Sequence, residues 1–397
     1  MRPTAARQGT LRELNLGLVL REVLDAAVSH QPPPSRADVA AATGLARATV
    51  SALVDRLVAG GLLAELEPTP TLRAGRPAVP LVPAGGTLVA LGAEVNVDYL
   101  AVRAIDLRAQ VLAERVVPGD HRGSDPAAVL RALASTADDV TDEALAGGDR
   151  PGDRRVVGTA LALPGLVARD TGTLLLAPNL GWREVDVLAA LASSSRVLGA
   201  HPPHLANEAD LAARAELRAQ RPDGPSSFVY VSGEIGIGAA IVLDGTVFGG
   251  RHGWAGELGH TLVADGRRLE QVAGQDAMLR AAGLDRQAGV GPLLAALRSD
   301  EAAAHGALAA AGEALGTALA NVVNAVDVSD VVLGGTYAAL ADHLTAPVLT
   351  ALRAQVLAAP WAPPAVAVAR AGEIPALTGA ALTVLDRVIA DPSAWLT

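Results

Sequence analysis

Apolar positions recur along this chain with two periods, and the period changes as the chain proceeds. "LRELNLGLVLREVLDAAV" repeats them every three or four residues, which predicts a supporting helix. Ser35 is placed to cap a second helix running through Asp38 and Ala41. Thr43-Gly44-Leu45 then forms a short turn, and a third helix follows from about Ala46 to Ala59. Its apolar face carries Val50, Leu53, Val54, Leu57 and Val58; its polar face carries Arg47, Thr49, Ser51 and Arg56. Gly60-Gly61 stops this helix. A strand starts over Leu62 to Glu67, and "TPTLRAGRPAVPLV" reads as a hairpin wing with Arg73 and Arg76 near its tip. Two helices joined by a glycine turn, the second apolar on one face and hydrogen-bonding on the other, predict a winged helix-turn-helix over residues 1–83. The expected DNA contacts are Ser35, Arg36, Arg47, Thr49, Ser51, Arg73 and Arg76. A helical protein-interaction domain is the alternative, and Asp55 near the polar face counts against tight phosphate contact there.

Beyond Pro83-Ala84-Gly85-Gly86 the period shortens. "TLVALGAEVNVDYLAVRAIDLRAQVLAERVV" predicts two or three strands with a turn near Asp106. Helical spacing returns from about Pro126 to Leu145. "RRVVGTALALPGLV" is a buried strand ending at Pro164-Gly165. "SSFVYVSGEIGIGAAIVLDGTVFGG" repeats the theme: strand, glycine turn, strand, then a turn at Asp244-Gly245. "SDVVLGG" is a last buried strand leading to a helix. The pattern predicts two similar α/β halves with a cleft between them.

Composition narrows the class. A length of 397 residues exceeds one compact core and predicts two or three domains. Half the residues are apolar and 19% charged, as in a well-buried globular chain. The absence of cysteine excludes disulfides and cysteine-ligated zinc and suits a reducing cytoplasm. No signal peptide and no membrane span is read. Residues 1–83 carry nine Arg against seven acids, while the remainder carries a net charge of −12. A mildly basic head on an acidic body points to phosphate contact by the head.

The stretch "AGELGHTLVADGRRLEQVAG", Ala255 to Gly274, gathers Glu257, His260 and Glu270. Acids and an imidazole at this spacing suit chemistry, a metal or a polar ligand.

The head together with "PGLVARDTGTLLLAPNLGW", "NEADLAARAE", "GIGAAIVLDG" and "AGELGH" resembles the ROK family of repressors, open reading frames and sugar kinases, specifically its winged-helix regulators. The resemblance spans nearly the whole chain. It implies a two-lobed, actin-like sugar-kinase body: a first lobe over 84–200, with a C-terminal helix of about 378–397 packing back on it, and a second lobe over 201–397 that carries the sugar-site motifs and the dimerisation surface. It also implies a homodimer or tetramer and a sugar site in the cleft. Carried over by motif, the sugar contacts are Asn207, Glu208, Glu257, His260 and Glu270. Gly165 falls on the loop closing over the sugar, and Asn179 at its edge. A pyranose ring of hydroxyls suits such donors and acceptors.

Several departures from the family's kinases follow. In "EVNVDY", Asn96 and Val97 replace phosphate-loop glycines. Glu234 and Ile235 precede Gly236 where a Gly-Thr-Gly turn belongs. Glu208 stands for the catalytic Asp and is one methylene longer, and a misplacement of about 1 Å can cost on the order of a hundredfold. Gly334 and Gly335 survive, where adenosine would pack. The family's three zinc-binding cysteines are missing, and the stretch that should hold them shrinks to "TLVADGRR". The expectation is a regulator, in the main a repressor, of carbohydrate-related genes. It would answer to a sugar, bind an inverted-repeat operator in the cytoplasm, and have no metal, no cofactor, no membrane contact and no catalysis. A kinase that retains DNA binding and a DNA-binding dimer that has lost its ligand remain alternatives.

Overall fold

The computed structural model describes residues 8–68, 78–148, 153–168, 171–263, 266–285 and 289–396. Arg73 and Arg76 lie outside these residues.

The head opens with helices α1 (Gln8–Val28), α2 (Arg36–Thr43) and α3 (Arg47–Ala59). Ser35 caps α2: its Oγ accepts the Asp38 N–H at 3.3 Å, and the Asp38 carboxylate accepts the Ser35 N–H at 2.9 Å. This reciprocal cap satisfies two otherwise orphaned donors. Gly44, with φ +70°, ends α2 in the left-handed region that glycine occupies at little cost. The chain then turns through 118° into α3, the crossing expected of a helix-turn-helix. Val50, Leu53, Val54 and Leu57 of α3 are buried against Leu16, Leu20 and Val23 of α1. Behind them β1 (Leu63–Glu65) pairs antiparallel with β2 (Leu81–Pro83). The β1 strand is shorter than the expected Leu62–Glu67; Pro68 and Pro80, which lack N–H groups, flank the ladder.

The body repeats one plan twice. In its first part β3 (Leu88–Val95), β4 (Tyr99–Ile105) and β5 (Val111–Pro118) form an antiparallel meander. Helix α4 (Pro126–Ala146) crosses to β6 (Arg155–Leu163). A small sheet of β7 (Leu166–Val167), β8 (Leu174–Ala177) and β9 (Trp182–Val185) follows. Next come α5 (Val187–Ala192), α6 (Arg196–Ala200) and β10 (His204–Asn207). The main sheet has the order β10-β6-β3-β4-β5, with β3, β6 and β10 parallel. Every residue of β3 is buried, which explains why its sequence is apolar on both faces apart from Gly92 and Glu94.

Helix α7 (Glu208–Ala219) leads into the second part. There β11 (Phe228–Gly233), β12 (Ile237–Leu243) and β13 (Thr246–Val247) form the second meander. Helices α8 (Glu270–Ala273), α9 (Gln275–Ala281), α10 (Gly291–Arg298) and α11 (Ala302–Val326) cross to β14 (Asp330–Gly334). Helices α12 (Gly335–Ala339) and α13 (Ala341–Gln355) cross to β15 (Ala365–Val368). The order β13-β12-β11-β14-β15 matches the first sheet strand for strand. Helix α11 is long and apolar enough on average to cross a bilayer. More than half of its most apolar window is buried, and it packs against α13, α8 and α9 as a core helix.

Helix α14 (Pro375–Ala390) returns to the first sheet, packing on β3 and β6 and against α7. Two close approaches seat it. A Cβ on Gly379 would lie 1.8 Å from the Leu211 carbonyl oxygen, and one on Gly92 would lie 2.4 Å from that of Leu377. A short 3-10 turn, Pro392–Trp395, then meets α1 of the head. One continuous buried cluster therefore runs from Leu16, Val54 and Leu57 to Ala380, Leu382 and Val388. The head is welded to the body by shared core.

Candidate functional site

A cavity of about 620 Å³ lies between the lobes. It opens beyond the carboxyl ends of β6, β10 and β11, where the loops of a parallel sheet diverge and leave a crevice. All seven residues expected to meet a sugar line it: Gly165, Asn179, Asn207, Glu208, Glu257, His260 and Glu270.

Each is positioned by its local sequence. Gly165 has φ +92°, and a Cβ there would sit 2.1 Å from the Leu176 carbonyl oxygen. Only glycine lets this loop lie on β8. Asn207 donates from Nδ2 to the Gly165 carbonyl at 3.0 Å and accepts the Ala209 N–H at Oδ1, 2.8 Å. It thus caps α7 and holds the loop, leaving one N–H to spare. Glu208 is the first residue of α7. Asn179 sits in the turn ahead of Trp182, which is buried and donates from Nε1 to the Ser124 carbonyl at 3.0 Å. Glu257 and His260 ride on a strap ending in the 3-10 turn Leu258–His260, with Leu258 as its buried anchor. Gly256, φ +102°, lets the strap lie on β12, since a Cβ would come within 2.2 Å of the Ala239 carbonyl oxygen. Trp254 donates to the Val167 carbonyl at 2.9 Å and ties the strap to the other lobe. Glu270 begins α8.

The cleft is acidic. Enclosure raises the Glu208 carboxyl well above its ordinary pKa, and Glu234, Glu94 and Glu257 raise it further. Glu257 is raised by partial burial, with His260 opposing that rise and Glu270 adding to it. Arg183, Arg268 and Ser232 also line the cavity and were not expected. Arg268 stands 3.9 Å from Glu270. Its place in "GRRLE", two residues before that acid, was the available signal.

The region that would receive nucleotide phosphates in a kinase is filled differently. Asn96, buried at the end of β3, donates from Nδ2 to Glu234 Oε2 at 2.9 Å and so bridges the two lobes. The Tyr99 hydroxyl donates to Glu94 Oε1 at 2.7 Å, while Glu94 Oε2 is buried and, among the described residues, has no hydrogen-bond partner. Burial, then the neighbouring Glu234, push the Glu94 carboxyl up to about 7, against the pull of Tyr99, Asn96 and the Leu377 N–H. Glu234 opens to the cleft but is surrounded by its walls, and it is raised as well. Val97, nearly fully buried, lines the same wall. Gly334 and Gly335 have a packing reason of their own. A Cβ on Gly334 would fall 2.2 Å from the Tyr230 hydroxyl, and one on Gly335 would fall 2.9 Å from the Gly233 carbonyl oxygen. Among the described residues no three His, Asp or Glu side chains gather as metal ligands.

In the head, Arg47 and Thr49 are exposed at the start of α3, and Ser51 is half-buried. Ala46 gives α3 no side-chain cap, so its first-turn N–H groups remain available to an anion. Ser35 and Arg36 have internal tasks. Ser35 is nearly buried and its hydroxyl donates to Asp38 at 2.7 Å. Arg36 pairs with Asp55 at 2.7 Å and Glu65 at 2.8 Å, and donates to the Ser51 carbonyl at 3.1 Å. It thereby ties α2 to α3 and the wing, and pairs with Asp55, the acid that counted against phosphate contact, which stays exposed.

This architecture has known relatives. The ROK family model matches residues 91–387, and the IclR helix-turn-helix domain model matches residues 22–67. A xylose repressor of Caldicellulosiruptor bescii is 28% identical over 254 residues, 64% of this chain and 59% of that protein. A glucokinase of Halalkalibacterium halodurans is 28% identical over 49% of this chain and 65% of its own. The chain thus spans about three-fifths of the repressor it matches. A solved ROK family transcriptional regulator, a homolog of the E. coli MLC protein, superposes with a TM-score of 0.76 at 24% identity, covering 96% of this chain and 97% of its own. That likeness speaks to the fold: an N-terminal helix-turn-helix joined to a two-lobed, sugar-kinase-like body. With the family model matching three-quarters of its length, this chain belongs to the ROK family.

Proposed function

We propose that this chain is a DNA-binding transcriptional regulator of carbohydrate-related genes, acting as a repressor, and that a sugar or sugar derivative held between the lobes changes its hold on DNA without phosphate transfer. The observation that carries this reading is the cleft itself. Five side chains able to meet sugar hydroxyls converge in it, with Gly165 and Asn179 at its edge, while the neighbouring phosphate region is closed by the Asn96–Glu234 bridge and by Val97. The repressors among the relatives support the regulatory half, as does the exposed face of α3. A homodimer, alone or paired into a tetramer, would place two copies of α3 on an inverted repeat whose half-sites lie about one or two helical turns apart. Such a regulator works in the cytoplasm. The glucokinase relative supports a second reading, a kinase that keeps its DNA-binding head; Glu208, an acid at the cleft floor, is the base it would use.

Binding would draw the lobes together, and a ligand shifts that balance only by its difference in affinity for the two arrangements. Coupling of about 1–3 kcal/mol, a 5- to 150-fold change in operator affinity, is ordinary. The test is calorimetric titration of a sugar panel, followed by operator binding with any hit and an ATP-hydrolysis assay. Glu257→Gln and His260→Ala should abolish the sugar response and leave operator binding intact. A response that survives both substitutions, or a panel with no binder, overturns the site. Sugar-dependent ATP turnover would establish the kinase reading.

A further inference from the structure

A second cavity, about 810 Å³, lies where the head meets the body. Its walls come from the head, from the β4–β5 turn and the loop after β15, and from helices α7 and α14. The head contributes Leu24 and Leu66, the β4–β5 turn contributes Leu107, and α14 contributes Leu382. Four arginines also line it: Arg108, Arg218, Arg221 and Arg370. Among the described residues no Asp or Glu lines it.

The acids nearby are already engaged. Asp25 is 3.0 Å from Arg221, and Asp386 is 2.7 Å from Arg214. Glu216 accepts the backbone N–H groups of Arg370 and Ala371 at 2.9 Å. Arg108 donates to the Pro83 carbonyl at 2.7 Å. Arg218 and Arg370 remain. Among the described residues neither guanidinium has a hydrogen-bond or ion-pair partner, and Arg218 is half-buried. Burial, then the neighbouring Arg221, hold the Arg218 pKa below the usual arginine range, and Asp386 and Asp25 compensate only in part. A half-buried cation with open donors, beside apolar walls, is a costly arrangement that an anion relieves.

We propose that this junction cavity is a binding site for a free amphipathic organic anion, with its phosphate or carboxylate on Arg218 and Arg370 and its apolar body against Leu24, Leu66, Leu107 and Leu382. The volume suits a molecule of ordinary ligand size, since such sites span about 300–1,000 Å³. The site is separate from the interlobe cleft and shares no lining residue with it. A ligand there touches head and body together, so its occupancy bears on the angle at which α3 is presented.

The test is calorimetry on the full chain with n-octyl phosphate, held below its micellar concentration. One molecule per chain should bind. Octanol and inorganic phosphate should each bind at least tenfold more weakly, because each offers half of the recognition. Arg218→Gln and Arg370→Gln should each weaken octyl phosphate by about tenfold or more, the loss expected of a charged hydrogen bond. Arg370 is exposed, so its variant folds even if that of Arg218 does not. Arg298→Gln, on the distant α10, should bind as the parent does. Absence of binding, equal binding by octanol or by inorganic phosphate, or parental affinity in Arg370→Gln overturns the proposal. Pelleting with phosphatidylglycerol vesicles in place of octyl phosphate binding overturns it too, in favour of a membrane surface.

Discussion

Glu94 is the residue whose chemistry the fold alters most plainly. Folded, it keeps its proton up to about pH 7; in the unfolded chain it releases it near the ordinary 4.5. Between those limits the unfolded state binds fewer protons, so stability falls as pH rises through this window, and the loss is complete above about 7. Glu208 and Glu234, also raised, pull the same way. Glu94→Gln removes the ionisable group but keeps an acceptor for Tyr99. Its stability relative to the parent should therefore grow from pH 5 to pH 8, by on the order of 3 kcal/mol. Urea unfolding at the two pH values measures this, and an equal difference at both would remove Glu94 from the account. In the head, Arg47→Ala should cost about 1–3 kcal/mol of specific operator binding if the side chain reads a base. Unchanged affinity in a gel-shift titration would assign recognition elsewhere. The seven cleft positions were legible because motifs carry them. The Asn96–Glu234 bridge was not, because the two residues lie 138 positions apart and only the closure of the lobes brings them together. Ser35 and Arg36 were read as DNA contacts from their residue types, but the fold gives both side chains internal partners that a linear pattern cannot show.

The elements were more legible than their neighbours. The helix expected from about Pro126 to Leu145 is observed as Pro126–Ala146, and the buried runs "RVVGTALAL" and "DVVLG" are strands. Periodicity reports which face of an element is apolar, so existence and type come through. It does not report what that face meets. The contact between α14 and α7 depends on Gly379, which in the sequence is one glycine in an apolar helix. Gly379→Ala would drive a methyl group into the Leu211 backbone. Backbone on both sides leaves little room to relax, so the cost should be about 3 kcal/mol or more. A thermal melt that matches the parent would show that the two helices do not pack this closely in solution.

At the scale of the molecule, two matched sheets form the cleft and a shared core joins the head to them. The duplication was visible as two strand-turn-strand repeats. The head–body weld was not, because its residues come from the two ends of the chain and each end reads as an ordinary amphipathic segment. The strap that carries Glu257 and His260 is held by Leu258, Gly256 and Trp254, with no cysteine available to fix it through a metal. Protein dialysed extensively should therefore contain no stoichiometric zinc by elemental analysis. One zinc per chain would mean that His260 and the cleft acids form a site this geometry does not display.

The return of α14 and the Pro392–Trp395 turn to α1 has a consequence in time. A ribosome delivers the head first and its seat last. At about 5–20 residues per second, roughly 20–70 seconds separate the emergence of α1 from that of α14. During that interval the helix-turn-helix can form its own core but has nothing to mount on, and the apolar face of α1 that meets the Pro392–Trp395 turn stays open to water. A nascent chain held by a stalled ribosome should bind DNA without any response to a sugar, because the mount through which the lobes act on the head has not yet been made.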